Sequence, residues 1–232
     1  MNSAASLNGT DSPPCFEVVV DTVIFTLGDH DLKIGLVEHK PGSEQWRLPG
    51  CSIAAAEAPD ATARRQMKSL LGTSEVYLQQ LYTFGAPERI PERRVISVSY
   101  FALFAYERLH HHDNQEQTEG IDWHSVYDLP PLAFDHGDIV DYALTRLRYK
   151  IEYSAVAFEL LPDEFTLREL QEAYMIILND HKLDKANFRK KIREADILEP
   201  ISRYRETGGR PAKLYRVRPD AQLEVKARRF FP

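Results

Sequence analysis

Apolar and polar residues alternate through Phe16–Leu27 (FEVVVDTVIFTL) and again through Leu32–His39 (LKIGLVEH), with the turn residues Gly28–Asp31 between them. Alternation among β-branched residues sends successive side chains to opposite faces of a strand, so the two stretches read as a hairpin. Pro41–Gly50 is a loop ending in Trp46-Arg47-Leu48-Pro49-Gly50. Ala58–Leu71 reads as a helix, with Pro59 in its first turn and Gly72 closing it. Gln79–Phe84 and Arg94–Tyr106 read as strands, Glu107–Gly120 as a polar loop and Ile121–Trp123 as a short strand. Gly137–Ile151 sets Ile139, Tyr142, Ala143, Leu147 and Ile151 at helical spacing. This order predicts an α+β domain: a mixed sheet with a helix packed on each side.

The pattern then changes. Phe165–Leu178 carries a capping-box signature, Thr166 followed three residues on by Glu169. Asp184 is placed to cap Lys185–Ala195, and Ile197–Arg205 and Ala212–Arg218 flank Gly208-Gly209. Helix, turn, helix and hairpin are the layout of a winged helix-turn-helix domain. The junction falls around Tyr153–Phe158 without a Gly/Pro/Ser-rich linker, which predicts two closely packed domains, 15–154 and 155–232. Met1–Pro14 has neither a basic end nor an apolar run and reads as a disordered tail, not a signal peptide.

Composition is that of an ordinary globular chain: 232 residues, 43% hydrophobic and 28% charged. No apolar run approaches the ~18 residues of a membrane span. Cys15 and Cys51 lie in unlike contexts without metal spacing, so a cytoplasmic protein without disulfides is expected. Charge is unevenly spread. Residues 1–154 hold 13 Lys and Arg against 22 Asp and Glu, whereas His181–Arg218 holds 12 against 5. An acidic front repels a polyanion and a basic tail attracts one, although a solvated surface has the same composition.

The front half resembles the Nudix family, whose signature is G-x5-E-x7-R-E-U-x-E-E-x-G-U with U bulky and apolar. Trp46-Arg47-Leu48-Pro49-Gly50 matches the approach to that box, Cys51 takes the place of its Gly, and Glu57, Arg65, Met67 and Gly72 match in register. Gln66, Ser69 and Leu70 stand where the family has three glutamates. Those glutamates hold Mg²⁺ against a pyrophosphate, and Mg²⁺ demands hard oxygen ligands in octahedral array. A kept fold and lost hydrolysis are therefore expected, with no metal and no cofactor. His110–His112, three consecutive histidines on a polar loop, do not share a face and suggest no metal site.

Gln80–Arg89 and Arg94–Tyr100 are similar to ADP-ribose-type Nudix proteins and their regulator relatives. Tyr82 and Phe84 suit stacking on a base or ribose, and Arg47, Arg65, Arg89 and Arg94 suit a pyrophosphate, since guanidinium grips phosphate oxygens in pairs. The same aromatics also suit a core, and the same arginines a solvated face.

On the second predicted tail helix, Phe188, Ile192 and Ala195 form the apolar stripe. The opposite face offers Ala186, Asn187, Lys190 and Arg193, with Arg189 flanking, and Lys185 opens the helix beside them. Lys and Arg there suit phosphates or guanine, and Asn187 suits adenine. Arg203, Arg210 and Lys213 belong to a basic hairpin wing fit for a backbone or minor-groove contact, as do the flanking Arg205 and Arg216. A basic protein-docking surface is the competing explanation.

Together the halves resemble the NrtR family of Nudix-related regulators of NAD metabolism. The likeness includes Phe158-Glu-Leu-Leu-Pro162, Phe165-Thr-Leu-Arg-Glu-Leu170, Asp184–Ile192 and Gly209–Tyr215. It implies a homodimeric transcriptional repressor of NAD biosynthesis or salvage genes that binds a palindromic double-stranded operator and senses ADP-ribose or a related nucleotide. An ADP-ribose pyrophosphohydrolase with an added module is the competing class, and the missing carboxylates count against it.

Overall fold

The structure is a computed structural model that describes residues 15–106, 120–206 and 208–221. The tail 1–14 and the histidine run 110–112 lie outside the described residues. The strand β1 (Glu17–Gly28) is the spine of the larger sheet. It runs parallel to β6 (Val95–Leu103) from Glu17↔Val95 to Phe25↔Leu103. Along its other side it pairs antiparallel first with β4 (Gly50–Ser52) and then with β2 (Asp31–Glu38). The short β3 (Trp46–Arg47) and β7 (Asp122–Ser125) pair with β2, and β5 (Tyr77–Phe84) pairs with β6. Asp29 and His30 close the β1–β2 hairpin with φ of 53° and 58°, the left-handed pair that a two-residue turn needs to match strand twist.

The twofold alternation of β1 distributes the rest of the domain. Val20, Thr22 and Ile24 point toward α1 (Pro59–Leu71), where Ala63, Met67 and Leu71 close two small apolar clusters with Tyr100, Ala102 and Phe104. Asp21, Val23 and Phe25 point to the other face. There α2 (His136–Tyr153) buries Ile139, Val140, Ala143, Leu147 and Ile151. Tyr142, expected in that stripe, is 43% exposed. It sits one residue from Ala143, about 100° around the helix and off the buried face.

A buried 3-10 turn, Ala155–Leu160, leads into β8 (Phe165–Thr166), α3 (Leu167–Leu178), α4 (Lys185–Ala195), β9 (Leu198–Arg205) and β10 (Ala212–Val217). These strands form an antiparallel sheet in the order β8-β10-β9, which completes the winged helix. The capping box is formed: Glu169 N–H donates to the Thr166 hydroxyl at 3.1 Å, and Thr166 N–H to the Glu169 carboxylate at 2.8 Å. Asp184 accepts from Asn187 N–H at 2.6 Å and starts α4. Tyr174 and Phe188 pack edge to face at 5.3 Å and join α3 to α4. One apolar core runs from Val23 and Phe25 through Ile151 and Phe158 to Phe188 and Ile197. Among the described residues no helix is long and apolar enough to cross a membrane.

Candidate ligand cleft and nucleic-acid interface

An open cleft of about 1110 Å³ lies between the His39–Gln45 loop, the end of β5, the Gly85–Arg93 loop and Ala133–Asp138. It adjoins a recess of about 300 Å³ bounded by Glu17, Asp21, Arg47, Gly50, Cys51 and His136. Their shared wall includes His39, Arg89, Arg93 and Phe134. The combined size suits a nucleotide-sized ligand.

The wall is held by buried charges. Arg89 donates to both oxygens of Asp135, at 2.9 and 2.8 Å, and lies 3.5 Å from Asp21. Its side chain is 1% exposed. The expectation that four arginines meet phosphate is thus corrected at Arg89, whose Nε and Nη2 make three hydrogen bonds inside the fold, while its buried Nη1 has no hydrogen-bond partner among the described residues. Asp21 arrives on β1, Asp135 just before α2, and Arg89 on the loop between β5 and β6, so one network ties three segments together. His136 Nδ1 accepts from Leu48 N–H at 2.9 Å, and Nε2 lies 3.9 Å from Asp21. Burial pushes the His136 pKa down, opposed by Asp21 and Asp135. A side chain at Gly50 would place its Cβ 2.2 Å from the Asp21 carboxylate, which is why the Trp46–Gly50 segment ends in glycine.

The other predicted ligand residues divide in the same way. Arg47 lines the recess. Tyr82 and Phe84 line the cleft with rings 5.4 Å apart, and Tyr82 is 55% exposed. Tyr142 completes this aromatic group, 5.4 Å from Tyr82 and 6.1 Å from Phe84. Arg65 is engaged by Glu57 through two bonds of 2.9 and 2.7 Å. Arg94 turns away from the cleft, donating to the Gly85 carbonyl at 2.8 Å and covering the Phe16 ring. Sequence reasoning passed over Arg93, which lines the cleft beside Glu17. The signal was the adjacent pair Arg93-Arg94 leading into a strand, where neighbours point to opposite sides.

Most of the residues at the positions that resemble a Nudix box are engaged within the fold. Glu57 serves Arg65 and Thr62, which hold its pKa down to about 2. Gln66 is buried and accepts from the Thr22 hydroxyl at 2.8 Å. Ser69 is exposed, and Leu70 packs against the Ile24–Met67 cluster. Three hard oxygens converging on one point are missing from this set.

On α4, Phe188 and Ile192 are buried, while Lys185, Asn187, Arg189, Lys190 and Arg193 are exposed together. The Arg193 side chain donates to the Arg189 carbonyl at 3.1 Å, and Lys190 stands 3.8 Å from Glu194. In the wing, Arg203 pairs with Glu164, Arg205 with Glu169 and Arg216 with Glu199. The wing is therefore less cationic than its sequence suggests. Arg210 lies at its exposed tip, and Lys213 is exposed on β10 opposite Tyr204.

Residues 157–217 match the family model of the NrtR DNA-binding winged helix domain. Over 206 residues the chain is 34% identical to the ADPR responsive transcriptional repressor NtrR of Acinetobacter baylyi, covering 86% of this chain and 81% of that protein. The chain belongs to the NrtR family. NrtR of Shewanella oneidensis, in its complex with a 27mer DNA, has a similar structure: the TM-score is 0.79 at 32% identity, over 91% of this chain and 98% of that one. A MutT/nudix family protein of Enterococcus faecalis shares the fold, with a TM-score of 0.67 at 22% identity over 92% and 90%. This NrtR-family chain thus joins a Nudix-like domain to a winged helix.

Proposed function

We propose that this NrtR-family chain is a cytoplasmic transcriptional repressor of NAD biosynthesis or salvage genes, built from a sensing domain, 15–154, and a DNA-binding domain, 155–232. The observation that carries this reading is the exposed Lys185–Asn187–Arg189–Lys190–Arg193 face of α4, set on the same apolar core as a nucleotide-sized cleft. Lysine and arginine neutralise phosphates, and Asn187 near the start of α4 is placed to reach a base edge. One winged helix covers a small surface, so two copies on a palindromic operator, as a homodimer, supply a full site.

The effector is ADP-ribose or a related NAD-derived nucleotide, in keeping with the name of the Acinetobacter relative. Tyr82, Phe84 and Tyr142 offer a stacking surface for the base, and Arg47 and Arg93 face its pyrophosphate. The ligand is bound, not cleaved, because the Nudix box offers no set of Mg²⁺ ligands. A gel shift on the DNA upstream of the chain's own operon, with and without ADP-ribose, tests the whole reading. Sequence-selective retention that changes with ADP-ribose is expected. Equal affinity for random duplex, unaltered by the nucleotide, would overturn it.

A further inference from the structure

The helix α2 begins in the cleft wall and ends beneath the winged helix. At its start, Asp135 holds Arg89, His136 holds Leu48 N–H, and Asp138 lines the cleft. Arg148, 13 residues after Asp135 and so roughly 20 Å along the axis, donates from Nε to the Ile177 carbonyl at 2.9 Å. A second arm reaches the same place. The strand β2 leads to the cleft residues His39 and Lys40, and it pairs with β7 from Lys33↔Ser125 to Leu36↔Asp122. Tyr127, in the turn after β7, donates its hydroxyl to the Ile176 carbonyl and lies 3.3 Å from that of Ile177. The Arg148 guanidinium stands 5.8 Å over the Tyr127 ring and braces the two arms against each other.

We infer that Tyr127 and Arg148 form a latch through which occupancy of the cleft sets the angle of the recognition helix. The inference rests on the assignment of the cleft to the effector and of α4 to the operator. Ile176 and Ile177 lie in the last turn of α3, where the helix end carries partial negative charge; the Ile176 carbonyl also accepts from the Asn179 N–H at 3.1 Å. A phenol and a guanidinium are suited to that end. Only the residues 179–184 separate it from α4, so a rotation of α3 carries the recognition helix with it. The shared apolar core is non-directional and tolerates sliding, whereas hydrogen bonds to two successive carbonyls fix an orientation.

The test uses the full chain, with ADP-ribose titrated by calorimetry into the free protein and into its operator complex. In the wild type the two dissociation constants differ, by 5- to 150-fold if the coupling is of ordinary size. In Tyr127→Phe and Arg148→Met the ADP-ribose constant without DNA stays at the wild-type value, while the ratio of the two constants falls to about one. Variants that keep the wild-type ratio, even with altered operator affinity, reduce these residues to a structural role and overturn the latch. A wild-type ratio of one overturns the sensor assignment itself. Tyr127→Phe removes a single hydroxyl, so it decides the matter if Arg148→Met does not fold.

Discussion

The Thr22 hydroxyl donates to the Gln66 side-chain oxygen at 2.8 Å, in the buried seam between β1 and α1. The amide at position 66 has become part of the interior at a place where the Nudix box carries a metal-binding glutamate. Glu57 is likewise engaged, by Arg65 and Thr62, and the proposed loss of hydrolysis has a direct check. Incubation with Mg²⁺ and ADP-ribose, with AMP followed by chromatography, is expected to show turnover far below about 1 s⁻¹. A rate in the enzymatic range would refute the assignment.

Arg89 is a structural cation first. Arg89→Met leaves the buried Asp21 and the half-buried Asp135 without their guanidinium, and it should cost about 3–5 kcal/mol. Arg94→Ala, which loses bonds to loop carbonyls, should cost about 1 kcal/mol. Urea unfolding of both variants gives the comparison. An Arg89→Met protein as stable as the wild type would mean that the network does not hold the wall.

Arg47→Ala and Arg93→Ala should each weaken ADP-ribose binding by about 1.5–3 kcal/mol. Tyr82→Ala should weaken it by about 1–3 kcal/mol if the ring stacks on the base. Arg65→Ala should have a smaller effect, because Glu57 holds that guanidinium through two bonds and, unlike Arg93, it lines neither the cleft nor the recess. Calorimetry on the four variants ranks them, and a larger loss at Arg65 than at Arg47 would place the pyrophosphate at the other end of the recess.

Neutralising Lys190 or Arg193 should lower operator affinity and flatten its salt dependence by about one unit for each lost phosphate contact. Asn187→Ala should instead relax sequence preference if that side chain reads a base. ADP-ribose affinity measured without DNA should not change in any of the three. Loss of effector binding with full operator affinity would reverse the assignment of the two domains.

His136 predicts an acid limit. Burial lowers its pKa from 6.5 in the folded chain, so the unfolded chain binds more protons between the two values. Stability therefore rises with pH across that window: the contribution is full above about 6.5 and is lost as pH falls through the folded value. Protonation at Nδ1 would also break the bond from Leu48 N–H and disturb the recess beside Arg47. His136→Gln should flatten the thermal-melting profile in the acid range below about pH 6.5. An unchanged profile would show that another group controls the acid limit.

Local pattern made much of the molecule legible. The Thr166–Glu169 box, the Asp184 cap, the Phe188–Ile192 stripe and the alternation of β1 each depend on residues within a turn or two of one another. Their structural outcome matches the order and type of element that the chain predicts. The basic face of α4 follows from the same periodicity, since burying Phe188 and Ile192 leaves the other side in solvent. Two-residue strands such as β8 escaped, because two residues carry no period.

The fate of individual site residues was decided elsewhere. Arg89, Arg65, Arg47 and Arg94 look alike in sequence, yet Arg89 meets a carboxylate 46 residues away and is buried, while Arg65 meets Glu57 and Arg94 turns to loop carbonyls. Tyr142 left the predicted stripe to join Tyr82 and Phe84, and Arg93 took the cleft position beside Glu17. The contacts of Tyr127 and Arg148 with α3 span 49 and 29 residues. Periodicity within one element sets which face is apolar, and the chain states that directly. Which carboxylate or carbonyl an arginine meets depends on how distant elements pack, and only the tertiary structure brings those partners together.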